Sequence, residues 1–464
     1  MRTQKVIFWF RQDLRTEDNP GLLGAAQAGT VVPIYILPQQ SLGAANRFWL
    51  HHSLKALNNS LDQKLSVFEG APLEILLKLV KLFEISDVFW NRCYEPWQIH
   101  QDQKVEQQLV KEGIKVHTSN GFLLWEPWTI LKGDQTPYKV FSPYYKKGCL
   151  NGPTPRLPLP KPSNLKLHAH THSDSISKLN LLPKIRWDQK IKPYWEIGET
   201  GALKKLNQFL KNGLSFYKEG RDYPSREVVS RLSPYLHFGE ISPNKIWHAV
   251  VKTTNDNNSE QFLSELAWRE FSYYLLYHFP DLPNKNFQTK FDKFPWVWKS
   301  KHLESWQKGQ TGYPLIDAGM RQLILEGYMH NRVRMIVASF LVKNLLIHWK
   351  LGQDWFAEYL VDADLASNSA SWQWVAGSGV DAAPYFRIFN PITQGEKFDP
   401  EGEYTCHFIP ELARLPKKYL FCPWEAPKDV LKKAQVELGK TYPLPILDLK
   451  ESRARALEAL EQCK

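Results

Sequence analysis

In the run VDADLASNSASWQWVAGSGVDA, residues 361–382, three polar or aromatic residues recur at intervals of four: Asp364, Asn368 and Trp372. On a helix entered near Asp364 they share one face. Ala366, Ala370, Val375 and Ala376 around them are small and apolar, so this face is expected to be buried. A carboxylate and an amide buried together cost on the order of several kcal/mol unless polar groups answer them. The run therefore reads either as a site that receives a polar guest or as an ordinary N-cap aspartate with a surface asparagine.

Three other runs carry chemistry of a similar kind. In FLSELAWREFSYYL, residues 262–275, Glu265, Trp268 and Arg269 fall at i, i+3 and i+4 of a helix. They form either a hydrogen-bonding and stacking surface or a plain Glu–Arg helix pair beside a core tryptophan. In MHNRVRM, residues 329–335, Asn331, Arg334 and Met335 share a face. Arg334 is placed to pair with Asp362 or Asp364, as a buried ion pair or as a cation beside a ligand. Ser230 to Ser233, S-R-L-S, precede an expected helix. Backbone N–H groups and hydroxyls there would receive a phosphate, or would simply cap the helix.

The elements that position these residues follow from periodicity. Lys5 to Phe10, Val31 to Leu37, Leu65 to Phe68, Asp87 to Trp90 and Lys115 to His117 read as short apolar strands. Pro20 to Ala28, Ala45 to Leu61, Pro72 to Phe83 and Gln101 to Lys111 read as the helices between them. Alternation of this kind implies a doubly wound parallel sheet. A G-x-G-x-x-G loop is missing, which argues against a nicotinamide site. Pro and Lys accumulate from Gly148 to Ser173, a stretch that reads as interdomain linker, with His168, His170 and His172 in a solvated tract. From about Tyr194 the pattern is helical, ending in the short amphipathic run KESRARALEALEQC. The expected organisation is α/β followed by all-α: a sheet domain over residues 1–135, a linker over 136–194 and a helical domain over 195–464.

Composition narrows the partners. A 464-residue chain with a formal net charge of +11 suits an anionic partner. Cys93, Cys149, Cys406, Cys422 and Cys463 are scattered without a C-x-x-C pair, which argues against a zinc or iron–sulfur site and suits a reducing cytoplasm. The opening MRTQKVIFWFRQDLR is no signal peptide, and no apolar run is long enough to cross a membrane. With eighteen tryptophans in the chain, the presence of any one of them says nothing about electron transfer.

VDADLASNSASWQWVAGSGVDA, together with TGYPLIDAGMRQLILEGYMHNRVRMIVASFLVKNLLIHW (residues 311–349) and the opening FWFRQDLRTEDNPGL, closely resembles the DNA photolyase and cryptochrome family. The resemblance implies a helical FAD-binding domain behind an antenna domain. It implies flavin contacts at Tyr217, Val229, Ser230, Arg231, Leu232, Ser233, Arg334, Asp362, Ala363, Asp364 and Asn368, the last facing flavin N5. Val228-Val229 stand where the family commonly has Gly-Thr, so one hydroxyl donor is lost. Glu265, Trp268, Met335 and Trp374 match the pocket for a flipped pyrimidine dimer. Arg221, Arg269, Asn331, Arg332, Arg387, Gln394 and Lys397 match or suit DNA contacts, and Trp296, Trp349 and Trp372 match an electron relay.

Within the family the resemblance points to a light-driven repair enzyme for cyclobutane pyrimidine dimers, class I in type, monomeric and acting on ultraviolet-damaged DNA. The alternatives are a cryptochrome, of DASH or signalling type, and a (6-4) photolyase. Retention of Asn368 and the want of a C-terminal extension weigh against signalling, and Glu265 with Trp268 and Met335 favours the cyclobutane lesion. A second chromophore, folate, deazaflavin or flavin, is left open. Trp97-Gln98, where folate-binding relatives often show a polar residue followed by Glu, weakens the folate assignment.

Overall fold

The computed structural model describes residues 4–40, 42–170, 175–298 and 301–463, so His172 lies outside the described residues. Five parallel strands, β1 (Lys5–Phe10), β2 (Thr30–Leu37), β3 (Ser66–Glu69), β4 (Asp87–Asn91) and β5 (Lys115–Ser119), form one sheet in the order β3-β2-β1-β4-β5. The register runs from Lys5 opposite Thr30 to Phe10 opposite Tyr35. Helices α1 (Pro20–Ala28), α2 (Ala44–Ser60), α3 (Pro72–Phe83) and α4 (Pro96–Lys111) make the crossovers. Order reverses between β1 and β4, the doubly wound arrangement the sequence predicts. After Lys5, β1 is a continuous apolar run, VIFWF, with Val6 to Phe10 buried, as a central parallel strand covered on both faces must be. Ile7, Trp9, Val32, Ile34, Val88 and Trp90 join Leu76, Leu79, Val105 and Leu109 of the helices in one core.

α4 begins at Pro96, ahead of the expected Gln101: proline fits the first turn of a helix, where its missing N–H is not needed. Past Cys149, where the π-helix Tyr144–Cys149 ends, the described part of the proline-rich stretch carries only an isolated bridge from Leu167 to Val31, yet it is anchored. The Arg156 guanidinium pairs with Asp18, Val31 N–H donates to Lys166 O at 2.8 Å, and His168 N–H donates to Val31 O at 2.9 Å.

The rest of the chain is helical. Its longer helices are α5 (Glu199–Gln208), α6 (Pro243–Thr253), α7 (Asn257–His278), α8 (Pro314–Glu326), α9 (Asn331–Ser339), α10 (Trp349–Tyr359), α11 (Leu365–Ala376), α12 (Pro391–Phe398) and α13 (Leu449–Glu461). Two compact units result: one holds Met1–Ser215, Ser230–Pro280 and Val361–Ala366, the other Phe216–Val229, Asp281–Leu360 and Ser367–Lys464. None of the helices is long and apolar enough to cross a membrane among the described residues.

In the first unit Glu240 is fully buried and accepts from Trp49 Nε1 at 3.2 Å, while Trp49 packs edge-on against Trp195 and Tyr235. Burial pushes the Glu240 carboxyl up to about 8 from 4.5. Folded protein thus keeps a proton that unfolded chain releases above pH 4.5. Stability contributed by this group falls as pH rises from 4.5 to 8 and is level beyond. Glu240→Gln, which keeps a neutral hydrogen-bonding side chain, should raise the melting temperature more at pH 8.5 than at pH 5.5, as calorimetry at the two pH values would show. An equal change at both would mean that Glu240 is already ionised in the fold.

Candidate functional site

α7 starts on a capping box, with Asp256 accepting from the Ser259 N–H at 2.9 Å, and this fixes the phase of its three chemical residues. Glu265 is half-buried and accepts from Gln261 Nε2 at 2.8 Å, one turn earlier. Trp268 stacks flat on Phe141, with ring centroids 3.8 Å apart at 12°. One indole face is therefore backed by a rigid aromatic partner.

Arg269 departs from the DNA-contact expectation. Its Nη1 donates to Glu270 Oε1 at 2.8 Å and to Phe122 O at 3.2 Å, and its guanidinium lies over the rings of Phe122 and Tyr273. The side chain is 12 % exposed and its ion-pair partner Glu270 is fully buried. A cation so committed serves the fold first. Glu270 also accepts from the N–H groups of Leu124 at 2.7 Å and Trp125 at 3.3 Å.

Also in the first unit, the S-R-L-S turn places Arg231 in left-handed backbone, φ 51°, and Leu232 N–H donates to Ser230 Oγ at 3.4 Å. The Ser233 hydroxyl donates to Asp362 Oδ2 at 2.6 Å. The helix that follows, Ser233–His237, has only five residues, so its dipole adds little to the phosphate cradle the sequence suggested. Asp364 stands just before α11 and not within it. It accepts from the Tyr273 hydroxyl and lies 3.6 Å from His237 Nδ1. Burial alone would raise its pKa; the nearby His237 imidazole, Arg269 and the Tyr273 hydroxyl outweigh it and hold the carboxyl down at about 2. The protein itself thus answers the carboxylate, and no guest is needed for that. Asn46 Nδ2 donates to Ala363 O at 2.9 Å, fixing the peptide between the two aspartates.

The second unit holds Asn368. Its Nδ2 donates to Gln353 O at 3.0 Å. A backbone carbonyl can only accept, so the amide orientation is settled and Oδ1 is left as an acceptor. On α9, His330 is buried and caps the helix, its Nδ1 accepting from Arg332 N–H at 3.2 Å. Burial and the cations of Arg334, Arg332 and Arg221 press its pKa down to about 3 against the opposing pull of Asp222, so the ring is neutral with its proton on Nε2. Arg332 pairs with Asp222 at 2.7 Å, Arg334 Nε donates to Met329 O at 2.7 Å, and Arg221 lies 5.5 Å over the Tyr217 ring. Val229 and Met335 are half-buried and Asn331 is exposed. Of the remaining expected DNA contacts, Trp374 and Gln394 are half-buried, whereas Arg387 and Lys397 are exposed. Lys343, which sequence reading missed, is buried under this region and donates to Arg387 O at 2.8 Å.

The three relay candidates all lie in the second unit. Trp372 is 2 % exposed and meets Phe356 edge-on at 5.0 Å. Trp349 is fully buried and donates from Nε1 to Asn286 Oδ1 at 2.8 Å. Trp296 is half-buried and donates to Phe291 O at 3.2 Å. Gln373, between Trp372 and Trp374, donates to Leu282 O at 2.6 Å and Lys285 O at 2.8 Å and accepts from Phe287 N–H at 2.9 Å. It locks α11 to the 281–288 segment, and no periodicity marks it in advance.

Arg269→Ala should cost about 3–5 kcal/mol of stability, the loss that follows removal of one partner from a buried pair. Burial raises the Glu270 carboxyl to about 7 in spite of Arg269. Below that pH a proton can replace the missing cation, so denaturant titrations should show a larger loss at pH 8 than at pH 6. Unchanged stability with weakened DNA binding would restore Arg269 to the DNA surface.

A domain family described as the FAD binding domain of DNA photolyase matches residues 262–462, and one described as DNA photolyase matches residues 6–163. A deoxyribodipyrimidine photo-lyase of Agrobacterium fabrum is 48 % identical over 100 % of this chain and 99 % of its own length. Cryptochrome-1 of Arabidopsis thaliana is 36 % identical over 98 % of this chain and 70 % of its own. The crystal structure of a bacterial class III photolyase from Agrobacterium tumefaciens superposes with a TM-score of 0.96 at 47 % identity, covering 100 % of this chain and 98 % of that one. With both halves matched and full-length relatives well above 30 % identity, the chain belongs to the DNA photolyase and cryptochrome family.

Proposed function

We propose that the chain is a light-driven deoxyribodipyrimidine photo-lyase that uses FAD to split cyclobutane pyrimidine dimers in DNA. The observation that carries this reading beyond family membership is the pairing on α7: Glu265 stands one turn before Trp268, whose indole is backed by Phe141. A pyrimidine flipped out of the duplex stacks on such a face, for roughly 1–3 kcal/mol per base. The Glu265 carboxyl then meets the base edge as a hydrogen-bond partner. The lesion suits this route, since a damaged, poorly stacked base flips at lower cost.

The residues present fit FAD. Asn368 Oδ1, left as an acceptor, suits an N–H donor such as N5–H of a reduced flavin. The Ser230 hydroxyl, which accepts from Leu232 N–H and keeps its own proton, suits a pyrophosphate, and Ser233, whose proton goes to Asp362, completes the set we assign to the cofactor with Tyr217, Arg334, Asp362, Ala363 and Asp364. When bound, reduced FAD supplies the photoexcited electron that opens the cyclobutane ring and receives it back. Arg334 favours negative charge nearby. Trp372, Trp349 and Trp296 we assign to the relay that restores the reduced state.

The finer points are proposals of the same standing. The 47 % identity with a structure named as class III supports that subclass in place of the class I type expected from sequence. Residues 1–135 are assigned to an antenna domain whose chromophore is undefined, 136–194 to the linker and 195–464 to the FAD domain. Arg221, Asn331, Arg332, Met335, Trp374, Arg387, Gln394 and Lys397 are assigned to the DNA side, and the protein is taken to act as a monomer in the cytoplasm. A blue-light signalling role is the second reading, favoured by the 36 % identity to a plant cryptochrome.

Purified protein should bind an oligonucleotide carrying a cyclobutane thymine dimer more tightly than the intact strand, with affinity falling as salt rises. Equal affinity at moderate salt would favour the signalling reading. Glu265→Ala should lower the quantum yield of repair more than it lowers lesion affinity, because a hydrogen bond that strengthens as the dimer gains an electron is worth more in the reacting state. If Glu265 only supports the helix, as part of an i,i+4 contact worth about 0.2–0.5 kcal/mol, the yield stays constant and only melting changes slightly.

A further inference from the structure

Lys343 is buried at 2 % exposure, and the one charge that acts on it among the described residues is Arg387, of the same sign. It sits in a π-helical turn, Phe340–Asn344, that continues α9, and Leu345 N–H closes the wide ring on Phe340 O at 3.0 Å. Insertions of this kind gather at functional sites. Ser339 stands one turn before Lys343, and the two peg the segment that joins α11 to α12. The Ser339 hydroxyl accepts from Phe389 N–H at 3.3 Å, and Lys343 Nζ donates to Arg387 O at 2.8 Å. Nearer α11, Ala383 N–H donates to Trp374 O at 3.1 Å. Between these ties Phe386 and Arg387 are exposed. We propose that Lys343 is a positioning residue for DNA, which holds Arg387 at the surface from beneath and takes up a proton when a DNA phosphate docks there. This rests on the assignment of Arg387 to the DNA side.

A buried ammonium without an anion is costly, so such a lysine gives up its proton readily. Burial, with the Arg387 charge, lowers the Lys343 pKa to about 7 from 10.5. Near neutral pH the protein therefore holds both forms. Either form keeps the hydrogen bond to Arg387 O, since a neutral amine is still a donor, but only the charged form attracts a phosphate. A phosphodiester on Arg387 offsets the repulsion that Lys343 feels and adds an attraction of its own.

The other groups around this site do not answer the charge. The Tyr385 ring lies 5.4 Å from Nζ, with Cys463 close to that tyrosine, and burial raises both the phenol and the thiol. Arg455 of α13 is spent on Asn344 O, to which it donates at 2.6 Å. With DNA bound, Lys343 thus stays protonated to a higher pH than without it. Binding takes up protons just above pH 7, and affinity falls as pH rises through that range.

The test uses FAD-loaded full-length protein and an oligonucleotide carrying one cyclobutane thymine dimer. Calorimetric titration at pH 7.5 in two buffers of different ionisation enthalpy should show heats that differ, as proton uptake requires, and equal heats would overturn the proposal. Wild-type affinity should fall by about tenfold from pH 6 to pH 9. Lys343→Arg carries its charge at every pH, so it should bind equally well at both ends and take up no proton. Lys343→Met should bind about tenfold more weakly than wild type at pH 6 and be level with pH. Glu270, raised to about 7, is present in both variants. Proton uptake that survives Lys343→Arg therefore belongs elsewhere and sinks the role of Lys343 alone. Arg387→Ala checks the assignment beneath: unchanged lesion affinity takes Arg387 off the DNA side, and this proposal falls with it.

Discussion

A methyl group at Gly352 would overlap the ring edge of Trp372 and crowd Leu341. This exclusion sets the approach of α10 to α11, on which the packing around Trp372 and Asn368 depends. Gly352 lies one turn after Trp349 and next to Gln353, whose carbonyl takes the Asn368 amide. One missing side chain thus brings Trp372 against α10, the helix that carries Trp349. Asn368 is tied to that same helix by the hydrogen bond from its Nδ2 to the Gln353 carbonyl. Packed interiors absorb little displacement, so a larger residue at 352 would disturb Trp372 and the Asn368–Gln353 contact together.

Buried charge is managed in two ways in the first unit. Asp364 is kept ionised because a hydroxyl, an imidazole and a nearby guanidinium all stabilise its negative form. Glu240 and Glu270 are pushed the other way, since burial outweighs the donors each possesses. The same residue chemistry therefore gives an anion at one site and near-neutral carboxyls at others. The number and charge of the donors decide between them, in the manner expected of low-dielectric interiors. Asp364 illustrates why a buried carboxylate is weak grounds for a ligand: its answering groups, Tyr273 and His237, come from distant parts of the sequence.

The parallel sheet was legible almost strand by strand, because Val6 to Phe10 and their neighbours are apolar on both faces and bounded by polar turns. Helix phase was legible too: Glu265 with Trp268, and Asn331 with Met335, fall on single helices, α7 and α9. What spacing could not supply was the partner of each side chain. Arg269 looked like a surface cation or a mate for Glu265, but tertiary structure delivers Glu270 and the Phe122 carbonyl to it. Asp364 and Asn368 looked like one face of one helix, yet the helix begins at Leu365 and the two have separate partners. Gln373 and Lys343 act through backbone carbonyls, which leave no periodic signature.

The hydrogen bonds of the indoles add a further constraint on how a positive hole would behave. Trp349 and Trp306 are buried with Nε1 held by Asn286 and by the Val337 carbonyl, and half-buried Trp296 holds the Phe291 carbonyl. An amide or peptide oxygen accepts a hydrogen bond but is too weak a base to take the proton. Oxidised indoles so held stay as radical cations, with their charge stabilised by the carbonyl dipole and free to move to the next ring. A tryptophan half in water differs, because solvent can take its proton and trap the radical as a neutral species. The inner residues of such a relay therefore need satisfied but non-basic partners, and the outer ones need water. Burial decreases in that order from Trp349 to Trp296.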